Sequence, residues 1–266
     1  MEFSDKENWL KWCQEGLTPE ESAIVMGENP WEGKETLFKR KTGELCQEKP
    51  ETSAMVLGKE IRPLAIEAYR TINEGLELHG QNIQNLDIWW LRSHVDLMSR
   101  FPLHIAEIRC GEGSYEKAKN SLYPPKPYWA EAQHILATTG LKYLNLFFYH
   151  PNTNTLEGKE PIQMTVWRKE EYISRMLREC NIFMEQVLQK RRTIKEDLLV
   201  SKESKIQEAE KAKEALEEER DLARSVYQAI LGQAPKVDKE TYQKFVPSHF
   251  TKKGNLTPLG KSLLLS

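Results

Sequence analysis

The chain has 266 residues, of which 39% are hydrophobic and 29% charged, and its formal net charge is -2 at pH 7. This composition is typical of a folded, water-soluble protein, and no apolar run approaches the ~20 residues that a membrane-spanning helix requires. The small net charge excludes a general affinity for nucleic acid, so a DNA-binding surface would have to be a local basic patch.

The amino terminus and the cysteines indicate the compartment. The first residues lack the basic and apolar regions of a secretory signal. The four cysteines are widely spaced and form no Cys-x-x-Cys pair: Cys13, Cys46, Cys110 and Cys180. This spacing argues against a zinc site or a disulfide framework. We therefore expect a cytoplasmic protein with reduced thiols and no membrane partner.

Short helices are predicted in the first part of the chain. Residues 5–15 have a partly apolar face, and Thr18 with Pro19 has the cap and first-turn chemistry of a second helix. Residues 34–42 predict a third helix, which ends at a glycine. After a polar loop, residues 58–72 predict a fourth helix.

Strands and a further helix follow. The strand-like runs are residues 76–90, 91–97, 103–110, 141–149 and 161–167. Residues 111–126 are rich in Gly, Lys and Pro and are predicted to be a loop. Pro127 is predicted to open a helix that Gly140 stops, and Glu170 to open a long helix. This order predicts an α/β fold with a mixed central sheet flanked by helices, plus a long C-terminal helix.

The composition changes near residue 190 and suggests three regions. We predict a main domain at 1–189, a long charged helix at 190–231 and a small C-terminal module at 232–266. Four apolar residues recur every seven positions in the helix: Ala209, Leu216, Ala223 and Ile230. This spacing fits a weak coiled-coil seam, while the many Glu–Lys pairs fit a single exposed helix equally well.

Asp96, Glu107 and Arg109 carry the strongest chemical signal. Two strand-like runs meet through a short turn at residues 99–102. Because alternate side chains of a strand share a face, Glu107 and Arg109 should point together with Ile108 in the core, and pairing brings Asp96 to the same place. Two carboxylates and a cation at strand ends can hold Mg²⁺ and a water against a phosphate. An ordinary surface ion pair produces the same pattern.

The flanking sequence resembles a known family over residues 8–188. The matching blocks are residues 17–27, the Asn-Pro-Trp at 29–31, residues 37–43 ending in Lys-Thr-Gly, residues 58–65, Asp96 with Glu107-Ile-Arg109, and residues 127–140. Together they are similar to the YqaJ-like viral recombinase family, the phage lambda exonuclease group of PD-(D/E)XK nucleases.

The resemblance implies a restriction-endonuclease-like core and a metal-dependent exonuclease that acts on the ends of double-stranded DNA in phage-type recombination. It implies that Asp96, Glu107 and the carbonyl of Ile108 bind Mg²⁺ or Mn²⁺, that Arg109 orients the attacking water, and that Glu131 or Gln133 assists. It further implies a ring-like trimer and a single-strand annealing protein as a partner.

Several positions depart from the family pattern. Arg62 stands where the family usually has a metal-binding Glu, Arg109 where it has Lys, and Glu131 where it has Gln. In addition, Asp96 is followed by Leu97 instead of Gly. An arginine offers no lone pair to a metal, and its planar fork does not replace the compact lysine ammonium.

These departures leave two alternatives open. Arg62 and Glu131 pair across the pocket and fill a metal position, or Glu131 supplies the lost carboxylate while Arg62 turns outward to bind phosphate together with Lys126. The sequence accordingly supports a metal-dependent exonuclease with a partly degenerate site. The alternative is a catalytically inactive protein of the same fold that binds DNA ends or a partner.

Overall fold

A computed structural model describes residues 3, 5–45, 52–153, 158–230 and 240. Within these residues the helices are α1 (Lys6–Glu15), α2 (Pro19–Val25), α3 (Lys34–Thr42), α4 (Ser53–Ile72), α5 (Glu112–Lys119), α6 (Lys126–Thr139) and α7 (Glu170–Ile230). The strands are β1 (His79–Gln84), β2 (Arg92–Arg100), β3 (Leu103–Cys110), β4 (Tyr143–Tyr149) and β5 (Ile162–Trp167).

Local sequence signals explain several helix ends. At α2 the carboxylate of Glu21 accepts the backbone N–H of Thr18 at 2.9 Å, which is half of a capping box. Helix α3 ends at Gly43, whose φ of 85° lies in the left-handed region that glycine adopts without a steric penalty. Both ends are where the sequence predicted them.

The five strands form one mixed sheet in the order β1-β2-β3-β4-β5. The β1–β2, β2–β3 and β4–β5 pairs are antiparallel. Strands β3 and β4 are parallel, because α5 and α6 intervene between them in the chain. This mixed sheet with flanking helices confirms the predicted α/β fold.

Two apolar cores cover the two faces of the sheet. The larger one joins the sheet to α2, α6 and the start of α7, with Ile135, Leu146 and Phe183 fully buried. The smaller one packs Ala65 and Tyr69 of α4 against the other face. The sheet is therefore covered on both faces, as the near-continuous burial of β4 requires.

Three elements differ from the sequence prediction. Helix α4 begins at Ser53, five residues earlier than predicted, because the Thr52 hydroxyl caps it by accepting the backbone N–H of Met55 at 3.3 Å. Residues 112–119 form α5 instead of a loop, since Tyr115 and Ala118 are both buried against the fold. Strand β1 covers only His79–Gln84 of the predicted 76–90.

The chain divides into two compact units after Arg192, within α7. In the first unit the start of α7 buries an apolar stripe that includes Met176, Cys180 and Val187. In the second unit the described part of α7 is mostly exposed, including Leu216 of the predicted seam. The predicted C-terminal module lies outside the described residues, apart from Glu240. Among the described helices, none has an apolar stretch of membrane-spanning length.

Candidate active site

The β2–β3 hairpin brings Asp96 and Glu107 into direct contact. The Asp96 carboxylate accepts the backbone N–H of Ile108 at 2.8 Å, and the Glu107 carboxylate accepts the backbone N–H of Asp96 at 3.0 Å. Each acid thus binds the main chain of the neighbouring strand, and both side chains are buried. Ile108 lies in the smaller core, as strand alternation predicts.

Burial and a neighbouring charge make Glu107 hard to ionise. Desolvation raises the pKa of Glu107 most, the Asp96 carboxylate raises it further, and Arg109 lowers it. Together they raise the pKa of Glu107 to about 8. Burial likewise raises the pKa of Glu131, although Arg109 opposes it. Glu107 therefore keeps its proton to a higher pH than an exposed glutamate does.

Arg109 bridges the acids from both sides. Its guanidinium lies 2.5 Å from the Glu131 carboxylate on α6 and 3.2 Å from that of Glu107. The same guanidinium lies over the ring of Tyr128, 5.2 Å from its centroid. Burial by itself would lower the pKa of Arg109, but the carboxylates, led by Glu131, outweigh it and raise that pKa. Its buried Nε has no hydrogen-bond acceptor among the described residues.

Arg62 completes the group from α4. Its guanidinium forms an ion pair with the Asp96 carboxylate, and 37% of its side chain is exposed. The structure thus pairs Arg62 with Asp96 and Arg109 with Glu131, so the suggested Arg62–Glu131 pair is not formed. We call these five residues the charge cluster: Arg62, Asp96, Glu107, Arg109 and Glu131.

Two other predicted site residues lie apart from these contacts. Both ends of the Gln133 amide bind the main chain, donating to the carbonyl of Trp167 and accepting the N–H of Lys169. Lys126 is exposed at the first position of α6. Tyr128 was not predicted, although its place three residues before Glu131 puts both on one helix face.

The predicted metal ligands do not fit a divalent cation in this arrangement. Asp96 already faces Arg62 and the N–H of Ile108, and Glu107 faces the N–H of Asp96 and Arg109. The carbonyl of Ile108 accepts from Arg109 at 3.4 Å. Two guanidinium groups occupy the space around the carboxylates, and no group of three candidate metal ligands occurs among the described residues.

A cavity of about 730 Å³ lies elsewhere in the first unit, at the start of α7. Its lining includes Trp129, Arg168, Tyr172, Arg175 and Arg178. It shares no residue with the charge cluster, and its Arg168 forms an ion pair with Glu170. We place the candidate active site at the charge cluster, since there buried acids meet an arginine whose Nε has no acceptor among the described residues and a second arginine that is partly exposed.

Known structures share this fold. Two crystal structures of the alkaline exonuclease LHK-Exo from Laribacter hongkongensis, one of them in complex with dAMP, each match with a TM-score of 0.62 and 17% identity, over 73% of this chain and 98% of that one. This chain has the alkaline-exonuclease fold. The fold that the sequence resemblance implied is thereby confirmed.

A phage-related exonuclease from Haemophilus somnus 129PT is a weaker likeness, with a TM-score of 0.49 and 14% identity over 68% of this chain and 96% of that one. The sequence matches no protein-family model. It also matches no curated protein sequence.

Proposed function

We propose that this protein is a DNA-processing protein that binds the ends of double-stranded DNA at the charge cluster, with arginine taking the role of the metal. The observation that carries the proposal is the ion pair between Arg62 and Asp96. A guanidinium fixed on the key carboxylate neutralises it and repels a divalent cation. The same group offers N–H donors in a planar fork that matches a phosphate.

The charge balance of the cluster supports this proposal. Two guanidinium groups lie among three carboxyl groups, and burial raises the pKa of one of these, Glu107, so little net negative charge remains to attract Mg²⁺. Apart from Asp96, the Arg62 guanidinium has no acceptor among the described residues, and more than a third of its side chain is exposed. It can therefore contact a DNA phosphate, with the exposed Lys126 as a second cation.

The shared fold supports DNA as the ligand. LHK-Exo is an alkaline exonuclease and binds dAMP in one of its structures. An exonuclease acts at the ends of a strand, and a protein of this fold that does not cut DNA can still recognise DNA ends. Fold alone does not fix function, so the proposal depends on the charge cluster.

The second candidate is a Mg²⁺- or Mn²⁺-dependent exonuclease. One observation favours it: Asp96 and Glu107 remain side by side, each bonded to the neighbouring strand. A site that only binds phosphate gains nothing from two buried acids. In this candidate Asp96, Glu107 and the Ile108 carbonyl are the metal ligands, and Arg109, Glu131 and Gln133 have the roles that the family resemblance implies.

One experiment separates the two candidates. Purified protein is incubated with 5′-phosphorylated linear duplex DNA and Mg²⁺ or Mn²⁺, beside the Asp96→Ala/Glu107→Ala variant. Binding is measured with linear DNA and with a closed circular competitor over a range of salt concentrations. Salt-sensitive binding that prefers ends, without digestion, supports the first proposal. Digestion that disappears in the double variant establishes exonuclease activity. If circular DNA competes as well as linear DNA, the protein does not recognise DNA ends.

A metal-binding measurement tests the role of Arg62 without any activity assay. The Arg62→Glu/Glu131→Gln variant replaces a cation with a carboxylate and restores an amide at residue 131. We expect this variant to bind Mn²⁺ in a calorimetric titration, while the wild-type protein does not. Mn²⁺ binding by the wild-type protein that disappears in Asp96→Ala would contradict the proposed role of arginine.

We further propose that the protein assembles as the ring-like trimer that the family resemblance implies and works beside a single-strand annealing protein. A ring would retain the protein on DNA after it has bound an end. Light scattering of the purified chain measures the assembly state, and a monomer at micromolar concentration would contradict the ring.

A further inference from the structure

Trp31 is a large aromatic residue held at the surface next to the charge cluster. It lies in the turn between α2 and α3, and 61% of it is exposed. The turn is fixed, because the side chain of the buried Asn29 accepts the backbone N–H groups of Trp31 at 2.8 Å and Glu32 at 3.1 Å. The position of the ring is therefore set by the fold even though the ring is mostly open to solvent.

A line of ring contacts connects Trp31 to the charge cluster. The Trp31 ring lies 6.4 Å from the Tyr128 ring, and the Arg109 guanidinium lies over the Tyr128 ring at 5.2 Å. Two contacts thus lead from a buried cation to an exposed indole. Tyr128 thus lies between the charge cluster and Trp31, so a DNA strand whose phosphate meets the charge cluster passes next to the Trp31 ring.

One cation contacts the exposed ring, and a second lies at the start of the helix that carries Tyr128. The ammonium of Lys117 on α5 lies over the Trp31 ring, 5.8 Å from its centroid. Lys126 is exposed at the start of α6, two residues before Tyr128. An exposed aromatic ring beside exposed cations is the combination that binds single nucleotides in a strand, since the ring stacks on a base and the cations meet phosphates.

We propose that Trp31 stacks on the base of the terminal nucleotide of a bound DNA end, with Lys117 contacting the phosphate beside it. The ligand is a terminal nucleotide of any sequence, because every base offers a π-face to an aromatic ring. The inference rests on the proposed binding of DNA ends and adds the group that recognises the end. Stacking on Trp31 makes the protein prefer DNA ends, because a terminal base leaves the base stack of the duplex more easily than an internal base does.

The test combines a change in the protein with a change in the DNA. Trp31→Leu removes stacking but keeps an apolar side chain, whereas Trp31→Phe keeps an aromatic face. The matched control is Trp167→Ala on β5, because Trp167 is 59% exposed and packs on Tyr143 instead of Tyr128. The dissociation constant is measured by fluorescence anisotropy with a duplex that ends in a normal nucleotide and with one that ends in an abasic nucleotide.

We expect Trp31→Leu to weaken binding of the normal end by about 5- to 100-fold, which is the usual effect of losing one stacked base. The abasic end should weaken binding to the wild-type protein by a similar factor and should weaken the Leu variant no further. Trp31→Phe should stay within a few-fold of the wild-type protein, and Trp167→Ala should not change binding. Circular dichroism verifies that each variant is folded.

The possible failures are distinguishable. If the wild-type protein binds normal and abasic ends equally, or if the Leu variant binds the normal end as tightly as the Phe variant, Trp31 does not stack on a base. In either case the proposed binding of DNA ends still stands. If the wild-type protein does not bind DNA ends at all, both proposals are wrong.

Discussion

Two buried groups of charges in the first unit differ in how completely they are satisfied. In the first, Lys41 of α3 is fully buried, and its ammonium donates to the Glu21 carboxylate and to the carbonyls of Cys13 and Gly16, each at 2.7 Å. An ammonium has three donors, and all three have an acceptor. Burial lowers the pKa of Lys41, although Glu21 opposes the shift.

In the charge cluster, not every hydrogen-bonding group has a partner among the described residues. Arg109 has a buried Nε without an acceptor among the described residues, burial raises the pKa of Glu107 to about 8, and Arg62 is more than a third exposed. The contrast shows that burial of charge alone does not identify a functional site. Lys41 ties α3 to the start of the chain and has no donor to offer a ligand, whereas the charge cluster keeps unmatched donors and an acid with a shifted pKa.

The largest effect on stability should come from a substitution that removes the three buried contacts of the Lys41 ammonium. Lys41→Met removes the ammonium from the buried Glu21 carboxylate and from the carbonyls of Cys13 and Gly16, which should lower the free energy of unfolding by about 3–5 kcal/mol. Urea unfolding followed by tryptophan fluorescence measures this change, since all 7 tryptophans lie in the first unit.

The matched control is Lys39→Met on the same helix, where Lys39 forms an exposed pair with Glu35. It should leave the free energy of unfolding almost unchanged, because an exposed ion pair contributes little. Equal effects of the two substitutions would show that the buried contacts of Lys41 are not what stabilises this part of the fold.

The pH dependence of stability probes the charge cluster. Because the pKa of Glu107 is raised from 4.5 to about 8, the folded state keeps a proton that the unfolded state loses, and Glu107 should make the protein less stable as the pH rises between these values. Glu107→Gln removes this contribution. Relative to the wild-type protein, the variant should gain stability between pH 5 and pH 8, on the order of 3 kcal/mol.

The measurement is the difference in unfolding free energy between wild-type protein and Glu107→Gln at each pH, so that the contributions of other groups cancel. His134 is one such group, because burial lowers its pKa to about 4. Glu77→Gln, at an exposed position, serves as the control. A difference that does not change with pH would place Glu107 in a more solvated environment than the structure shows.

Arg62 should contribute to DNA binding. Arg62→Gln removes an exposed guanidinium that can contact a phosphate, so the affinity for linear duplex DNA should fall about tenfold and the slope of log affinity against log salt should decrease by about one. Arg70→Gln is the control, because Arg70 lies about two turns further along α4 and has a similar exposure. An unchanged salt slope in Arg62→Gln would exclude a phosphate contact.

The smallest effect is expected for Lys126. A single exposed lysine at the edge of a site contributes about 0.5–1 kcal/mol to phosphate binding, so Lys126→Gln should weaken binding a few-fold. Lys142→Gln, exposed before β4, is the control. If both substitutions weaken binding equally, the DNA surface is a general electrostatic one and is not centred on α6.

Local sequence signals were sufficient for most of the fold. The cap at Thr18, the glycine after α3, the alternation around Ile108 and the uninterrupted helix from Glu170 act over a few residues, and the structure confirms each of them. Helix α5 was missed because only two of its residues are buried and its other residues are polar or small. Its stability comes from packing against the sheet, which a local pattern does not reveal.

The sequence by itself determined the α/β fold and the meeting of Asp96, Glu107 and Arg109, because strand alternation and a short hairpin turn leave few other arrangements. The tertiary structure alone decided the partners: Arg62 with Asp96, and Arg109 with Glu131. Arg62 and Glu131 lie on helices far apart in the chain, and which acid each arginine contacts depends on how α4 and α6 pack on the sheet. The distances of α4 and α6 from the sheet are set only when the core is assembled.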